Sequence, residues 1–268
     1  MSVYIDSHLH TSFSVDSDTP PEIQIERAIA LGMPSLCITD HQDFDGPPDI
    51  KDFTFDTKAY WKALLPLKEA YRGKIDLRIG VELGLQTGIP SDLAAYAASQ
   101  PFDFIIGSIH FCDGMDPYYP KYYEGRTEDA AYRAYFEEEL KNFKAYDCFD
   151  SAGHLDYIVR YGPNKNTFYT YEKFRDIFDE ILKLLIQRGQ GLECNTAGFK
   201  AGLGHPHPTE AILKRYRELG GEILTLGSDA HRPEHLAFHF DQIGDLLKSC
   251  GFRYYTIFKG RKPEFLPL

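Results

Sequence analysis

The sequence of 268 residues lacks the marks of a membrane or secreted protein. It has no stretch of about 18 uninterrupted apolar residues, so no membrane-spanning helix is predicted. The first residues reach an acidic side chain at Asp6, which leaves no apolar run for a signal peptide. The five cysteines are scattered, odd in number and free of any CxxC pair, so we expect reduced thiols and a cytosolic protein.

A basic surface is also missing. The chain carries 29 lysines and arginines against 40 aspartates and glutamates, which gives a net charge of −11. Proteins that follow a nucleic-acid backbone usually present a basic face, so we expect no nucleic-acid partner. A small anionic substrate is compatible with this balance if bound metal ions supply local positive charge.

Seven short apolar runs alternate with helical patterns along the chain. They are apolar throughout, which is typical of strands buried on both faces of a parallel sheet. The predicted strands are Val3–Ile5, Leu36–Thr39, Leu77–Val81, Phe104–Ile109, Asp150–Gly153, Gly191–Asn195 and Ile223–Leu226. The predicted helices run from Glu22 to about Gly32, from about Thr57, and over Asp92–Ser99, Glu128–Tyr146, Tyr171–Arg188, Thr209–Leu219 and Glu234–Ser249. This alternation favours an α/β fold, a closed or nearly closed barrel formed by one domain over residues 1–268.

Two connections are unusually long. Gln42–Phe55 and Phe111–Arg126 both follow strands and are rich in aspartate, proline, glycine and aromatic residues. Loops of this length in a compact domain usually carry function. We interpret them as a lid over the barrel mouth, with a simple surface excursion as the alternative.

The histidines fall at the ends of the predicted strands. Six of the ten stand at or just beyond a strand's C-terminal end, and three acids share that placement. These residues are His8, His10, Asp16, His41, Glu82, His110, His154, Asp229 and His231. Parallel barrels place their active sites on that rim. Imidazoles at the ends of apolar strands are costly unless they are paired or bound to metal.

These groups are too many for one zinc ion, which takes about four ligands. They suit two or three divalent ions that share a carboxylate. His8-Leu9-His10 and Asp229-Ala230-His231 repeat a spacing that points paired side chains the same way in an extended segment. Imidazole and carboxylate ligands favour Zn²⁺, Mn²⁺ or Fe²⁺. The sequence therefore predicts hydrolysis by a metal-bound hydroxide, without a separate catalytic residue.

Six motifs, in order, resemble the PHP (polymerase and histidinol phosphatase) family. They are Asp6-Ser7-His8-Leu9-His10-Thr11, Ile38-Thr39-Asp40-His41, Gly80-Val81-Glu82, Gly107-Ser108-Ile109-His110, Gly153-His154 and Gly227-Ser228-Asp229-Ala230-His231. The resemblance implies a distorted, TIM-like (β/α)7 barrel with a trinuclear metal centre at its C-terminal rim. One metal would be held by His8, His10, Glu82 and Asp229. Glu82 would bridge to a second metal held with His110 and His154, and Asp16, His41 and His231 would hold the third. Asp18 is an alternative to Asp16.

Two further segments resemble the histidinol-phosphatase branch of that family. They are His154-Leu155-Asp156-Tyr157-Ile158-Val159-Arg160-Tyr161-Gly162 and Leu192-Glu193-Cys194-Asn195-Thr196-Ala197-Gly198. The resemblance implies a phosphatase that acts on L-histidinol phosphate in histidine biosynthesis, with Arg160 on the substrate phosphate. Lys200, at which relatives often carry arginine, is a further candidate for substrate contact, as are His205 and Arg232. Phe44, Tyr118 and Tyr119 of the long connections would enclose the imidazole end of the substrate.

The remaining polar residues have less specific interpretations. His205 and His207 lie in a loop rich in glycine and proline after the sixth strand, where solvent exposure is expected and substrate contact is the alternative. His235 and His239 are expected to be exposed on an outer helix. Asp6 and Asp40, which precede predicted ligands, are expected to orient them.

Other functions are compatible with parts of this pattern. A PHP nuclease or a broad-specificity nucleotide phosphoesterase would need a long basic groove at the rim. An inactive metal-holding scaffold would have lost some ligands, whereas every expected position here carries a ligand type. Amidohydrolases also begin with HxH in a barrel, but the Asp229-Ala230-His231 ending fits them poorly. The sequence does not fix the oligomeric state.

Overall fold

The central sheet is parallel and buried. The computed structural model describes residues 4–89 and 91–268. Its strands are β1 (Ser35–Ile38), β2 (His41–Gln42), β3 (Asp76–Gly84), β4 (Phe104–Ser108), β5 (Ser151–Ala152), β6 (Gly191–Asn195) and β7 (Leu224–Gly227). They follow the order β1, β3, β4, β5, β6, β7, and β2 pairs with the end of β3. Every residue of these strands except Asp76 is buried, in agreement with the apolar runs of the sequence.

The segment around Asp6–Leu9 closes the sheet into a barrel. Its carbonyl at Asp6 accepts a hydrogen bond of 3.1 Å from the backbone of Cys37 in β1. Its amide at Ser7 donates one of 2.9 Å to the carbonyl of Leu226 in β7. The segment therefore lies between the first and last strands of the sheet, and the predicted (β/α)7 barrel is confirmed. Of the predicted first strand, Val3 lies outside the described residues, and Tyr4 and Ile5 form no regular strand.

Helices surround the sheet, and most of them lie in the connections between its strands. They are α1 (Pro21–Ala30), α2 (Thr57–Ala70), α3 (Leu93–Ala98), α4 (Glu128–Ala145), α5 (Arg175–Arg188), α6 (Ala197–Lys200), α7 (Glu210–Glu218) and α8 (Phe240–Ser249). Asp56 caps α2 by accepting from the backbone amides of Lys58 and Ala59. Within the described residues, no helix is long and apolar enough to span a membrane.

The prediction of a helix over Glu234–Ser249 is wrong in its first half. Residues Pro233–His235 form a short 3-10 turn, and α8 begins only at Phe240. His239, directly before α8, has a φ of 59°, which breaks any continuous helix there. His235 and His239 are therefore not one turn apart on a helix. Both are partly buried, and the ring of His239 stacks on Phe199 with centroids 4.8 Å apart.

A C-terminal hairpin, which the sequence analysis did not predict, closes the opposite end of the barrel. Its strands are β8 (Tyr254–Lys259) and β9 (Lys262–Pro267). Phe258 of β8 stacks on Phe104 at the start of β4, with ring centroids 5.1 Å apart. Arg78 donates a hydrogen bond of 2.9 Å to the carbonyl of Phe258. Because this end is filled, access to the barrel interior is from the rim at the carboxyl ends of the strands.

Candidate metal centre

The carboxyl ends of the strands bring all the predicted metal ligands to one rim. His8 and His10 lie on the closing segment, His41 begins β2, and Glu82 lies within β3. The remaining five follow strands or lie on nearby loops, and they are Asp16, His110, His154, Asp229 and His231. All nine are buried except Asp16 and His231, whose side chains are 41% and 22% exposed.

Glu82 lies at the centre of this group, between two sets of imidazoles. Its Oε1 is 2.8 Å from Nε2 of His154 and 3.3 Å from Nε2 of His110. Its Oε2 is 2.9 Å from Nδ1 of His41 and 3.3 Å from Nε2 of His8. A carboxylate with each oxygen directed at a different set of histidines has the arrangement that a shared, bridging ligand requires.

A second acidic pair completes the outer part of the cluster. Asp229 Oδ1 is 3.3 Å from Nε2 of His10, and Asp16 Oδ2 is 3.1 Å from Nε2 of His231. The ring of His10 stacks on that of His231, with centroids 4.1 Å apart. Asp16 also lies 3.8 Å from Nε2 of His41, whereas Asp18 is exposed and pairs with no histidine of the described chain. The geometry therefore favours Asp16 over its alternative.

Several ring nitrogens and one carboxylate oxygen of this cluster have no hydrogen-bond partner within the described residues. These buried atoms are Nε2 of His8, His10 and His231, Nδ1 of His41 and Oε2 of Glu82. They lie close to one another but are not aligned as donors and acceptors. Buried polar atoms without partners are costly, and divalent cations would satisfy them. Four groups of three residues, drawn from the cluster and Asp43, have ligand atoms close enough to hold an ion.

The charges within the cluster are strongly coupled. Burial favours the neutral ring of His110, but the negative charges of Asp43 and Glu82 outweigh it and raise its pKa to about 10. Burial disfavours the charged form of Glu82 as well, yet the cations at His8 and His41 hold its pKa well below the usual range. The acids of this site therefore stay ionised, which suits ligands of a divalent metal.

Three residues hold the rings of predicted ligands from behind, and the sequence analysis missed them. Nδ1 of His8 lies 2.6 Å from Glu193, and Nδ1 of His110 lies 2.6 Å from Asp43. Nδ1 of His10 lies 3.0 Å from Ser14 Oγ. With Nδ1 held in this way, Nε2 of each ring is directed into the cluster. A signal for one of them existed, because His41-Gln42-Asp43 repeats the spacing of the two motifs that were recognised.

Asp6 and Asp40 hold the backbone near predicted ligands, and neither bonds to the ring of one within the described residues. Asp6 accepts hydrogen bonds from the amide and hydroxyl of Ser228, next to Asp229. Burial raises the pKa of Asp6 to about 6. Asp40 accepts from Thr11 and from Ser14, which places the turn after His10. Both acids thus act on the loops that carry ligands.

Arg160 is held rigidly beside the cluster. Its guanidinium lies over the ring of Tyr157, 4.3 Å from the centroid, and 4.9 Å from that of Tyr161. One nitrogen is 3.5 Å from Asp229 Oδ2. Lys200 donates a hydrogen bond of 3.0 Å to the carbonyl of Asp229, and it lines a second recess together with Arg160. Two positive side chains therefore flank the same edge of the cluster.

Two other predicted substrate residues lie elsewhere. Arg232 is exposed and lines neither of the recesses beside the cluster. His205 is buried, lines neither recess and has its Nδ1 2.7 Å from the carbonyl of Pro206. His207 is buried beside Asp156 and holds its own loop in place. The expected solvent exposure of His205 and His207 is therefore wrong, because this loop folds inward and its imidazoles bond within it and to Asp156.

A cavity of about 390 Å³ opens directly above the cluster. Both long connections line it, as the lid interpretation predicts: the first contributes Phe53 and Lys51, and the second contributes Asp116, Tyr118 and Tyr119. Phe44 does not line the cavity. Its ring instead packs edge-on against Tyr96, with centroids 5.0 Å apart, because the chain at that position turns toward α3.

Comparison with known proteins agrees with this geometry. The PHP domain family matches residues 6–197. The histidinol-phosphatase of Lactococcus lactis subsp. lactis is 30% identical over 259 residues, which cover 96% of this chain and 95% of that protein. A "Probable histidinol-phosphatase" of Clostridium acetobutylicum is 32% identical over 92% of this chain and 94% of that protein. A crystal structure of the Lactococcus lactis histidinol phosphate phosphatase, complexed with Zn, L-histidinol and phosphate, superposes on this chain with a TM-score of 0.90. The two chains are 31% identical, and the match covers 97% of this chain and 98% of that chain.

Proposed function

Because the chain belongs to the PHP family, and within it to the histidinol-phosphatase branch, we propose that it hydrolyses L-histidinol phosphate to L-histidinol and phosphate. The observation that carries this proposal is the position of Glu82, between two sets of histidines at the floor of a small cavity. The proposal includes a role in histidine biosynthesis and one domain over residues 1–268. It also includes a cytosolic location, which the five free cysteines favour.

We assign the metal ligands in the three groups that the family resemblance implies, of which the first two share Glu82. His8, His10 and Asp229 would hold one ion, and His110 and His154 a second. Asp16, His41 and His231 would hold a third at the exposed edge. Their nitrogen and carboxylate donors suit Zn²⁺, Mn²⁺ or Fe²⁺. Ions bound there would lower the pKa of water and neutralise the charge of the phosphate oxygens.

Arg160 would bind the phosphate. Its planar guanidinium can donate two parallel hydrogen bonds to phosphate oxygens, and its aromatic neighbours hold that plane in place. Lys200 would add a second positive charge from the same side, as a point charge rather than a fork. Together they would stabilise the negative charge that develops on the phosphate during hydrolysis.

The rest of the cavity supports a small amphipathic leaving group over a polymer. Its volume of about 390 Å³ and its aromatic lining suit a ring of the size of imidazole. Tyr118 and Tyr119 are 57% and 47% exposed, so their rings are available to cover such a group. A nucleic-acid strand would need a longer and more basic groove than the one that Arg160, Lys200 and Lys165 provide.

The test is phosphate release from L-histidinol phosphate, compared with an aryl phosphate and an oligonucleotide. The protein is assayed as purified, after removal of metals by a chelator, and after return of Zn²⁺, Mn²⁺ or Fe²⁺. We expect a strong preference for L-histidinol phosphate that the chelator abolishes and metal restores. Preference for the oligonucleotide would instead identify a nuclease. Hydrolysis that is unchanged by full metal removal would refute the proposed chemistry.

A further inference from the structure

Strand β6 is the one strand for which the sequence analysis found no metal ligand, yet its Glu193 contacts the cluster from behind. Its side chain is buried, with 1% of its surface exposed. Oε1 lies 2.6 Å from Nδ1 of His8. Oε2 accepts hydrogen bonds of 2.8 Å from the backbone amide of His154 and 3.2 Å from the side-chain amide of Asn195. One carboxylate thus joins residues from three places in the barrel.

These contacts fix the position of a proton on His8. The carboxylate oxygens of Glu193 accept from the two amides, and at 2.6 Å the Nδ1 of His8 is placed to donate a third hydrogen bond to them. The proton then lies on Nδ1, and Nε2, 3.3 Å from Glu82 Oε2, is the nitrogen left for a metal ion that Glu82 would share. The opposite tautomer would set two lone pairs against each other at the short contact. The 3.5 Å approach of the Asn195 amide to the same nitrogen is too long to compensate for that repulsion.

The neighbouring strand leaves space for this contact. Gly227, at the end of β7, lies so close that a Cβ atom there would overlap both Oε1 of Glu193 and the Cβ of His8. The requirement is for space rather than for an unusual backbone angle, because Gly227 is not among the glycines with positive φ. The backbone of β7 therefore accommodates the Glu193–His8 pair.

We propose that Glu193 is a positioning residue of the metal centre. It sets the tautomer of His8 and ties that ring to the backbone of His154, so that the ligands of two metal positions are held by one carboxylate. The inference rests on the proposed function, in which His8 and His154 hold different ions. It predicts that loss of Glu193 weakens both positions, although Glu193 is itself one residue removed from the metal.

The sharpest variant is Glu193→Gln, which keeps the size of the side chain. Glutamine offers one accepting oxygen, while its amide nitrogen donates. If that nitrogen faces His8, the ring must carry its proton on Nε2 and cannot bind metal there. If it faces His154, two donors oppose each other. We expect the affinity for Zn²⁺ to fall roughly 10–100-fold, as for other partners that orient ligating histidines.

The chain offers a matched control in Glu139→Gln. Glu139 is also a buried glutamate, on α4, and it contacts no residue of the cluster through a hydrogen bond or ion pair in the described chain. Zn²⁺ affinity and stoichiometry are measured for both variants by competition with a chromophoric chelator, and circular dichroism monitors folding. We expect the control to bind Zn²⁺ as the wild type does.

A second measurement uses the wild-type protein, so it does not depend on whether the Glu193 variant folds. In the Zn²⁺-loaded wild type with ¹⁵N-labelled histidines, the His8 resonances, assigned by their loss in His8→Asn, should show a protonated Nδ1 and a metal-bound Nε2. The opposite tautomer overturns the inference, as does wild-type Zn²⁺ affinity in Glu193→Gln or an equal loss in both glutamine variants. If any of these results is found while the wild type still binds Zn²⁺, only the role of Glu193 is overturned and the proposed function stands. If the wild type binds no Zn²⁺, the role of Glu193 and the proposed function are both overturned.

Discussion

The carboxylate of Asp43 holds the ring of His110 at 2.6 Å and lies 3.6 Å from Nδ1 of His41. The acid is buried, and its pKa is lowered because the positive charges of His110 and His41 outweigh the effect of burial. Gly84 gives it space, because a Cβ there would overlap the carboxylate. One loop acid is thus placed between ligands of two proposed metal positions.

Asp43→Asn should lower kcat/KM for L-histidinol phosphate by roughly 10–100-fold, because an amide holds the tautomer of His110 less firmly than a carboxylate. Metal content per chain, measured by elemental analysis after dialysis, should fall with it. Asp49→Asn is the control, since Asp49 is an exposed acid on the same connection. Equal activity of the two variants would show that Asp43 does not orient a ligand.

Arg160→Lys should both raise KM and lower kcat, because Arg160 would bind the phosphate and stabilise the charge that develops on it. Lysine keeps the charge but loses the planar fork and its stacking on Tyr157. Loss of one charge-assisted hydrogen bond is worth about 1.5–3 kcal/mol, so we expect roughly a 10–160-fold loss in kcat/KM. Steady-state kinetics measure it, with Arg133→Lys on the outer face of α4 as the control. An unchanged KM would remove Arg160 from the phosphate site.

Asp116→Asn should reduce the preference of the protein for a substrate that carries an amino group over one that lacks it. Asp116 lines the cavity and has no ion-pair partner in the described chain. Its backbone contact is the amide of Tyr118 at 2.8 Å, which fixes the carboxylate in the loop. The kcat/KM ratio of L-histidinol phosphate to its analogue without the amine should fall several-fold in the variant. The control is Asp113→Asn, which changes an exposed acid on the same connection and should keep the wild-type ratio. If both variants keep that ratio, Asp116 does not bind the ammonium group of the substrate.

Glu139→Gln should stabilise the fold at neutral pH. Burial and the nearby charge of Asp156 raise the pKa of Glu139 well above its ordinary value, so the folded state holds a proton that the unfolded state releases. The stability of the wild type therefore falls as the pH rises from the pKa of Glu139 in the unfolded chain toward its higher pKa in the folded protein. Glutamine does not titrate, so the variant lacks this dependence. We expect Tm to be a few degrees higher than wild type at pH 7 and equal near pH 4, measured by scanning calorimetry. A variant that is less stable at pH 7 would contradict a neutral Glu139.

The residues at the rim could be predicted from the sequence, because each follows its own strand directly along the chain. His8, His110 and His154 are imidazoles placed directly after apolar runs, and a parallel sheet brings such positions together whatever the details of the loops. Glu193 was not predicted as part of the site, because its side chain acts on a ring that lies 185 positions away in sequence. Only the closed barrel brings that pair together.

The hairpin shows a different limit. Its turn places both Gly260 and Arg261 at positive φ, and for an arginine such a conformation is unfavourable in isolation. Tertiary contacts hold it, since Arg261 pairs with Asp150 at 2.5 Å and its backbone amide donates to the carbonyl of Asp103. Local propensity could not anticipate a turn that depends on residues from two other strand ends.

The closing segment has a consequence for how the protein is made. The predicted ligands His8 and His10 are synthesised well before Asp229 and His231. The bond between Asp6 and Ser228, 222 positions apart, can form only after the chain between them has been synthesised. The complete set of predicted ligands can therefore come together only when the barrel closes.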